Sequence, residues 1–298
     1  MIKHLGLKAY GKINLGLDVV RRREDGYHEV RMIMQSVGLY DNIEIVNLGP
    51  SASGKPEIDV ETNLRYLPNN ENNLAYKAAM LLMEEFFIYS HIAIKIKKMI
   101  PVAAGMAGGS ADAAAVLKGV NKLFGLQLTN EELKKRGVTL GADIPYCIDG
   151  GTALSEGIGE ILTPLPPMPQ CIILLVKPPI NVSTKLVYGK LDAASNEYHP
   201  DIDGMIDAIK HNDLLGMTKK MGNVLATVTE AEYPIISQIK DIMIEMGALG
   251  SMMSGSGPTV FGIFDNREAA KNAYNFFKSS DLGRQVYLTD GGNGDERY

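Results

Sequence analysis

The chain has 298 residues, enough for two ordinary domains or one large one. Hydrophobic residues make up 45% and charged residues 22%, the balance of a soluble globular protein, and no apolar run is long enough to span a membrane. The formal net charge of -5 excludes the basic surface of a nucleic-acid-coating protein, and two cysteines, Cys147 and Cys171, are too few for a disulfide framework.

The two thiols read as buried groups in a reducing cytosol, so a cytoplasmic location is expected. The opening stretch M-I-K-H-L-G-L-K-A-Y has no apolar core of signal-peptide length. Five histidines show no H-E-x-x-H or similar spacing, so no zinc site is expected.

Short alternating runs at Ile13 to Val20, Val30 to Val37 and Ile43 to Val46 predict strands of a mostly antiparallel sheet. Asp25-Gly26, inside R-E-D-G-Y-H, marks a turn. Asn72 or Asn73 is a candidate cap for a helix carrying Leu74, Ala78, Leu81 and Leu82 on one face. His91 to Ile96 predicts another strand, which leads straight into the glycine-rich stretch P-V-A-A-G-M-A-G-G-S-A-D-A-A-A, Pro101 to Ala115.

That stretch reads as a loop turning into a helix, with Ser110 at the junction and Val116, Val120 and Phe124 continuing an apolar stripe from Ala113. Glycine lets a ligand approach the main chain closely. The first turn of a helix offers unsatisfied N–H groups and the positive end of its dipole, so a phosphate is the expected occupant. A turn that only caps a core helix has the same local pattern. No G-K-[ST] follows, and the spacing is not G-x-G-x-x-G, which excludes a Walker A loop and a dinucleotide fingerprint. Without H-R-D or D-F-G the chain is not a protein kinase.

Thr129 to Glu132 predicts an N-cap with an acidic first turn, and Gly141 to Gly151 a loop followed by a short strand. Four prolines in T-P-L-P-P-M-P, Thr163 to Pro169, place a linker and a domain boundary, giving domains 1–165 and 166–298. Beyond it come a buried strand at Ile172 to Val176 and helices from about Ser183, Asp201 and Glu230. In the last of these Ile235, Ile239, Ile242 and Met246 recur at helical spacing. A strand near Ser251, a strand at Thr259 to Phe264, a helix carrying Ala269, Ala273 and Phe276, and a strand at Gln285 to Leu288 complete a ferredoxin-like order. The glycine-rich tail from Asp290 is expected to be loose.

Three further constellations carry chemistry. In A-Y-G-K-I-N-L-G-L-D-V, Lys12 and Asn14 share one strand face, which is costly to bury unless something polar meets them. An edge strand with a solvated face is the plainer alternative. Asp143 sits in G-A-D-I-P, where it could equally be a turn aspartate. M-S-G-S-G-P-T-V-F-G-I-F, Met253 to Phe264, repeats the glycine-and-hydroxyl logic of the main loop, and could equally be a hairpin turn.

Taken in order, K-I-N-L, P-x-x-x-G-x-x-G-G-S-A and S-G-S-G-P-T resemble the three motifs of the GHMP kinases, the family of galactokinase, homoserine kinase, mevalonate kinase and phosphomevalonate kinase. R-x-D-G-Y-H, Arg23 to His28, with L-G-A-D-I-P and G-G-T-A-L, is similar to the branch acting on 4-(cytidine 5'-diphospho)-2-C-methyl-D-erythritol in non-mevalonate isoprenoid synthesis. The resemblance runs from about Lys8 to Phe264.

It implies an α+β fold of two domains, one like ribosomal protein S5 domain 2 and one ferredoxin-like, with the active site in the cleft between them. It implies ATP and Mg²⁺, and transfer to the 2-hydroxyl of the acceptor. Pro101, Val102, Ala103, Ala104, Gly105, Met106, Ala107, Gly108, Gly109, Ser110 and Ala111 would wrap the ATP phosphates, with Ser110 the candidate Mg²⁺ ligand. Lys12 and Asp143 would be the catalytic pair. Asn14, Tyr27, His28, Tyr188, Ser254, Gly255, Ser256 and Gly257 would bind the acceptor, with Tyr27 and Tyr188 stacking on the base and His28 reading its edge. Ala104 and Ala107 stand where many relatives have glycine, and an alanine is expected to hold φ below zero there. A kinase for another small alcohol and a non-catalytic metabolite sensor on the same scaffold are the rival readings. Monomer and homodimer are both compatible with the sequence.

Overall fold

The first fifty residues form two long strands where the sequence pattern predicts three. In this computed structural model, which describes residues 3–193 and 198–291, β1 spans His4–Arg22 and β2 spans His28–Pro50. The segments Val30 to Val37 and Ile43 to Val46 belong to one strand that changes partner along its length. Met32 to Gln35 pair with β5 (Thr152–Glu156), and Asn42 to Pro50 pair with β4 (Ser90–Lys97), both antiparallel. The apolar alternation breaks where the partner changes, so a local window reads two strands. The turn between β1 and β2 is as expected: Gly26 has φ +85° and Tyr27 N–H donates to Asp25 Oδ1 at 3.1 Å.

The chain continues through β3 (Glu57–Thr62), α1 (Leu74–Glu85), β4, α2 (Gly108–Phe124), α3 (Asn130–Gly137) and α4 (Ile144–Asp149). Asn73 caps α1, its Oδ1 accepting from Ala75 N–H at 2.9 Å. Thr129 and Glu132 close a capping box on α3. α4 is a correction: residues expected as a loop and a short strand form a helix, with Pro145 in its first turn, where a missing N–H costs nothing. α2 packs against α1 and α4, and its small residues serve that packing. A Cβ at Gly119 would overlap Ile45 and Leu7, so the helix lies directly on the sheet.

Next come β5, β6 (Ile161–Pro164), β7 (Ile172–Lys177), α5 (Thr184–Ala193), α6 (Ile202–Lys210), α7 (Leu214–Lys219) and β8 (Gly222–Asn223). The described chain ends with α8 (Ala226–Glu232), α9 (Ile235–Glu245), β9 (Gly250–Met253), β10 (Val260–Phe264), α10 (Arg267–Ser279) and β11 (Gln285–Asp290). Pro164 lies on β6, which among the described residues pairs only with β5, a position where proline is tolerated. β7, β9, β10 and β11 make an antiparallel sheet in the order β11-β7-β10-β9, with α9 and α10 against it, as the ferredoxin-like order predicts. The expected loose tail beyond Gly291 lies outside the described residues.

Two helix faces differ from expectation. α9 buries Ile236, Ile239 and Met243, and α10 buries Ala270, Ala273 and Phe277, leaving Phe276 40% exposed. Both helices carry apolar residues at adjacent positions, and contact with the sheet selects the phase.

Two compact units are not contiguous in sequence. The first comprises the chain up to Gly11, Tyr40–Val102 and Ala107–Gly150; the second comprises Lys12–Leu39, Ala103–Met106 and the chain from Gly151 onward.

Candidate functional site

In the second unit, β1 carries Lys12 and Asn14 on one face, and both are buried, at 5% and 0% exposure. That burial overturns the solvated-edge alternative. Lys12 Nζ donates to Asn14 Oδ1 at 2.7 Å, and Asn14 Nδ2 donates to the Met32 thioether at 3.1 Å. A buried ammonium is expensive without polar company, and within this unit, among the described residues, Asn14 is its one side-chain partner.

The S-G-S-G loop meets this strand directly. Ser254 Oγ accepts from Asn14 N–H at 3.3 Å and donates to Gly105 O at 2.8 Å. Lys12 N–H donates to Met106 O at 3.2 Å, and Thr259 N–H to Ala104 O at 3.3 Å. Segments far apart in the chain are thus tied through one hydroxyl and two backbone bonds. Gly255 and Gly257 hold φ of +57° and +85°. Asn223, which the sequence reading missed, pins the same loop: its Nδ2 donates to Met253 O at 2.9 Å and Gly255 O at 2.8 Å, while its Oδ1 accepts from Leu225 N–H. Only its position on the two-residue strand β8, paired with β1, makes this possible.

The three glycines of the main loop have separate reasons. Gly105 has φ +75°, and a Cβ there would overlap the Ser254 carbonyl. At Gly108 a Cβ would meet Ile100 Cγ2 at 3.1 Å, whereas at Gly109 it would meet only Leu74 Cδ1, at an ordinary 3.5 Å. Gly105 is therefore demanded by packing, while Gly109 leaves room for a Cβ on its outer side. Gly105→Ala is expected to destabilise the protein by roughly 1–3 kcal/mol from backbone strain and overlap. Gly109→Ala is expected to leave the melting temperature near that of the wild type. Thermal melts of the two variants check this, and equal melting temperatures would contradict it.

In the first unit, α2 begins at Gly108 after Ala107, which holds φ +54° and ψ 28° and offers no side-chain cap. Ala103 holds φ +50°. The expectation that alanine keeps φ below zero fails at Ala107: the tertiary structure holds it in the left-handed region, at a cost of about 1–2 kcal/mol. The uncapped first turn leaves backbone N–H groups for an anion. Ser110 lies on that turn, and a Cβ on Gly141 would sit 4.0 Å from Ser110 Oγ, so G-A-D-I-P runs beside it. Asp143 is half-buried at the head of α4, and its carboxylate makes no capping bond there.

Beneath the same helix lies a buried ionic cluster that was not anticipated. Lys98 Nζ donates to Asp41 Oδ2 at 2.5 Å and Asp112 Oδ2 at 2.6 Å. Burial lifts the Asp112 carboxyl to about 8, partly opposed by Lys98 and reinforced by Asp41. Burial also works to lower Lys98, but the two carboxylates outweigh it and the ammonium is held above its ordinary value. An aspartate inside a run of buried alanines was the available signal.

The expected base-binding residues lie in the second unit. Tyr27 is exposed in the turn before β2. Tyr188 on α5 packs against His28, with ring centroids 4.7 Å apart and planes 34° off parallel. Thr184 Oγ1 and Ser256 Oγ lie 2.8 Å apart, joining α5 to the S-G-S-G loop.

Among the described residues no group of three His, Cys, Asp or Glu side chains is placed to hold a metal ion. Mg²⁺ that travels with phosphates takes few ligands from a protein itself, and Ser110 offers one hydroxyl oxygen on the first turn of α2.

Comparison with known proteins gives a consistent picture. Residues 73–151 match the GHMP kinases N terminal domain, and residues 205–281 match the GHMP kinases C terminal domain. A 4-diphosphocytidyl-2-C-methyl-D-erythritol kinase of Lachnospira eligens is 54% identical over 289 residues, covering 97% of this chain and 99% of that protein. A crystal structure of 4-(cytidine 5'-diphospho)-2C-methyl-D-erythritol kinase superposes with a TM-score of 0.81 at 29% identity, over 97% of this chain and 100% of that one. A homoserine kinase from Cytophaga hutchinsonii shares the fold, with a TM-score of 0.74 at 19% identity over 98% and 96% of the two chains.

Proposed function

Because the chain belongs to the 4-diphosphocytidyl-2-C-methyl-D-erythritol kinases of the GHMP family, we propose that Lys12, Asp143 and the glycine loop are the working parts of its phosphoryl transfer. The protein is an ATP-dependent kinase of that cytidine diphosphate alcohol. The 2-hydroxyl is the acceptor. Residues 1–165 form the ATP-binding domain and 166–298 the C-terminal domain. The location is cytoplasmic, in keeping with a chain that has only two cysteines, Cys147 and Cys171.

Phosphoryl transfer has a loose transition state with charge spread over equatorial oxygens, so positioning and electrostatics do most of the work. Pro101 to Ala111 wrap the ATP phosphates, and the N–H groups of Gly108, Gly109 and Ser110 face them. Ser110 would lend an oxygen to Mg²⁺, which would neutralise phosphate charge when bound. Asp143 accepts the proton of the acceptor hydroxyl. Lys12 steadies the charge on the acceptor oxygen, and its bond to Asn14 fixes where the ammonium lies. Ser254 to Gly257 and Asn14 border the acceptor, with Tyr27, His28 and Tyr188 at the base.

The observation that supports this reading most is the Ser254 hydroxyl, which bonds both Asn14 and Gly105 and so joins all three family motifs. A coupled ATPase assay tests it: turnover is expected with 4-diphosphocytidyl-2-C-methyl-D-erythritol and not with homoserine or mevalonate. Absence of turnover with any alcohol would favour the sensor alternative. Calorimetric titration of ATP into Gly109→Val is expected to show affinity reduced by roughly 10²-fold, as a branched side chain displaces the phosphates. Unchanged affinity would refute the placement of the loop.

A further inference from the structure

We propose that Asp41, Lys98 and Asp112 are positioning residues for the phosphate loop, a clasp that ties its two ends together and so sets its fit to ATP without touching the nucleotide. The proposal rests on the reading that Pro101 to Ala111 hold ATP.

The entry end of the loop is fixed by Asp41, which is fully buried on β2. Its Oδ1 accepts from Met99 N–H at 2.5 Å and Ile100 N–H at 2.9 Å, the two residues before Pro101. The exit end is fixed by Asp112, on the second turn of α2, which accepts from Lys98 Nζ at 2.6 Å. The same ammonium donates to the other oxygen of Asp41, at 2.5 Å. One lysine therefore spans the chain where it enters the loop and where it leaves. Its own backbone is held on both sides by Asn63, whose Oδ1 accepts from Lys98 N–H at 2.7 Å and whose Nδ2 donates to Lys98 O at 3.2 Å. The ammonium lies directly under the first residue of α2: a Cβ at Gly108 would be 3.3 Å from Lys98 Nζ.

Stability alone does not account for this cluster. Well-packed apolar side chains often match or exceed a buried ion pair in stability, because both charges lose their water. What the charges add is direction. Among the described residues Asp112 Oδ1 has no partner, so the side chain's hold on the exit end is the bond from Lys98 to Asp112 Oδ2. Cutting that bond lets the first turn of α2, with its phosphate-facing N–H groups, shift relative to Ile100 and Pro101. A shift on the order of 1 Å at a binding turn can cost 10²-fold in a reaction that depends on positioning.

The test uses the full-length enzyme. Lys98→Met removes the bond but strands two buried acids, so Lys98→Met/Asp112→Leu is the principal variant: it leaves Asp41 with its two backbone donors and no unpartnered carboxyl at Asp112. The expected result is a rise of about tenfold or more in KM for ATP, with the acceptor KM and the kcat at saturating ATP close to wild type. Asp112→Asn, whose amide oxygen can still accept from Lys98, is expected to keep a near-normal KM for ATP. A double variant that folds with wild-type KM for ATP overturns the clasp, as does one that only melts earlier. Gly109→Val run in parallel separates the two readings. If it loses ATP affinity while the double variant does not, the clasp alone fails. If neither loses affinity, the loop does not hold ATP and both readings fall.

Discussion

Asp143→Asn is expected to turn over substrate ~10²–10⁴ more slowly than the wild type, with both KM values nearly unchanged. The substitution keeps shape and removes charge. Asp143 is suited to such a test because its carboxylate is not spent on capping α4 and its neighbourhood is set by backbone: Ile144 N–H donates to Gly141 O and Cys147 N–H to Asp143 O. The helix therefore does not depend on the side chain's charge. An interaction made chiefly in the transition state lowers kcat and kcat/KM together when it is lost. Lys12→Met should lower kcat similarly, but with a stability cost that Asp143→Asn does not share. It leaves the buried Asn14 Oδ1 without its donor, and an unsatisfied buried acceptor costs about 1–3 kcal/mol. Steady-state kinetics with thermal melts separate the two effects. Near-normal turnover by a folded Asp143→Asn enzyme would remove Asp143 from the catalytic pair.

His28→Ala is expected to narrow the preference for the cytidine over the uridine form of the substrate, whereas Tyr188→Ala raises KM for both. Stacking on an aromatic ring contributes ~1–3 kcal/mol per base and tolerates any base. Uracil differs from cytosine on its hydrogen-bonding edge, where an acceptor replaces the exocyclic amine donor and N3 carries a proton. A site built around such bonds can reject the wrong partner by ~10⁴ or more. The packing of Tyr188 on His28 adds a refinement. Tyr188→Ala also removes the surface that holds the imidazole, so part of the discrimination should fall with it. Tyr188→Phe keeps the ring and should keep both the KM and the discrimination. Measuring kcat/KM for both nucleotide forms on the three variants decides the roles. A His28→Ala enzyme that still rejects the uridine form as strongly as wild type would mean that other groups read the base edge.

Local chemistry made several features legible before any fold was known. The Asn73 cap, the Thr129–Glu132 capping box and the turn at Asp25-Gly26 each depend on atoms within a few residues of one another. The glycine loop, K-I-N-L and S-G-S-G-P-T were visible as motifs, and their order along the chain pointed to a family that the comparisons bear out. Strand–helix order alone predicted the ferredoxin-like sheet, since each element announces itself by its own periodicity.

Tertiary contact decided the rest. β2 is one strand because β4 and β5 take it up in turn, and no window of ten residues contains both partners. Ile236 and Phe277 are the buried members of apolar runs whose phase only the facing sheet could choose. Gly105 has to be glycine because the Ser254 carbonyl, 149 residues away, occupies the place of its Cβ, and Ala107 is held at positive φ against its own preference. Lys98, read from its neighbours, is one of two lysines at the end of a strand. Asp41, 57 residues earlier, and Asp112, 14 later, turn it into a buried bridge. Periodicity and capping report interactions within a turn or a strand, whereas a buried charge or a forbidden Cβ is defined by the atoms that folding brings from elsewhere in the chain.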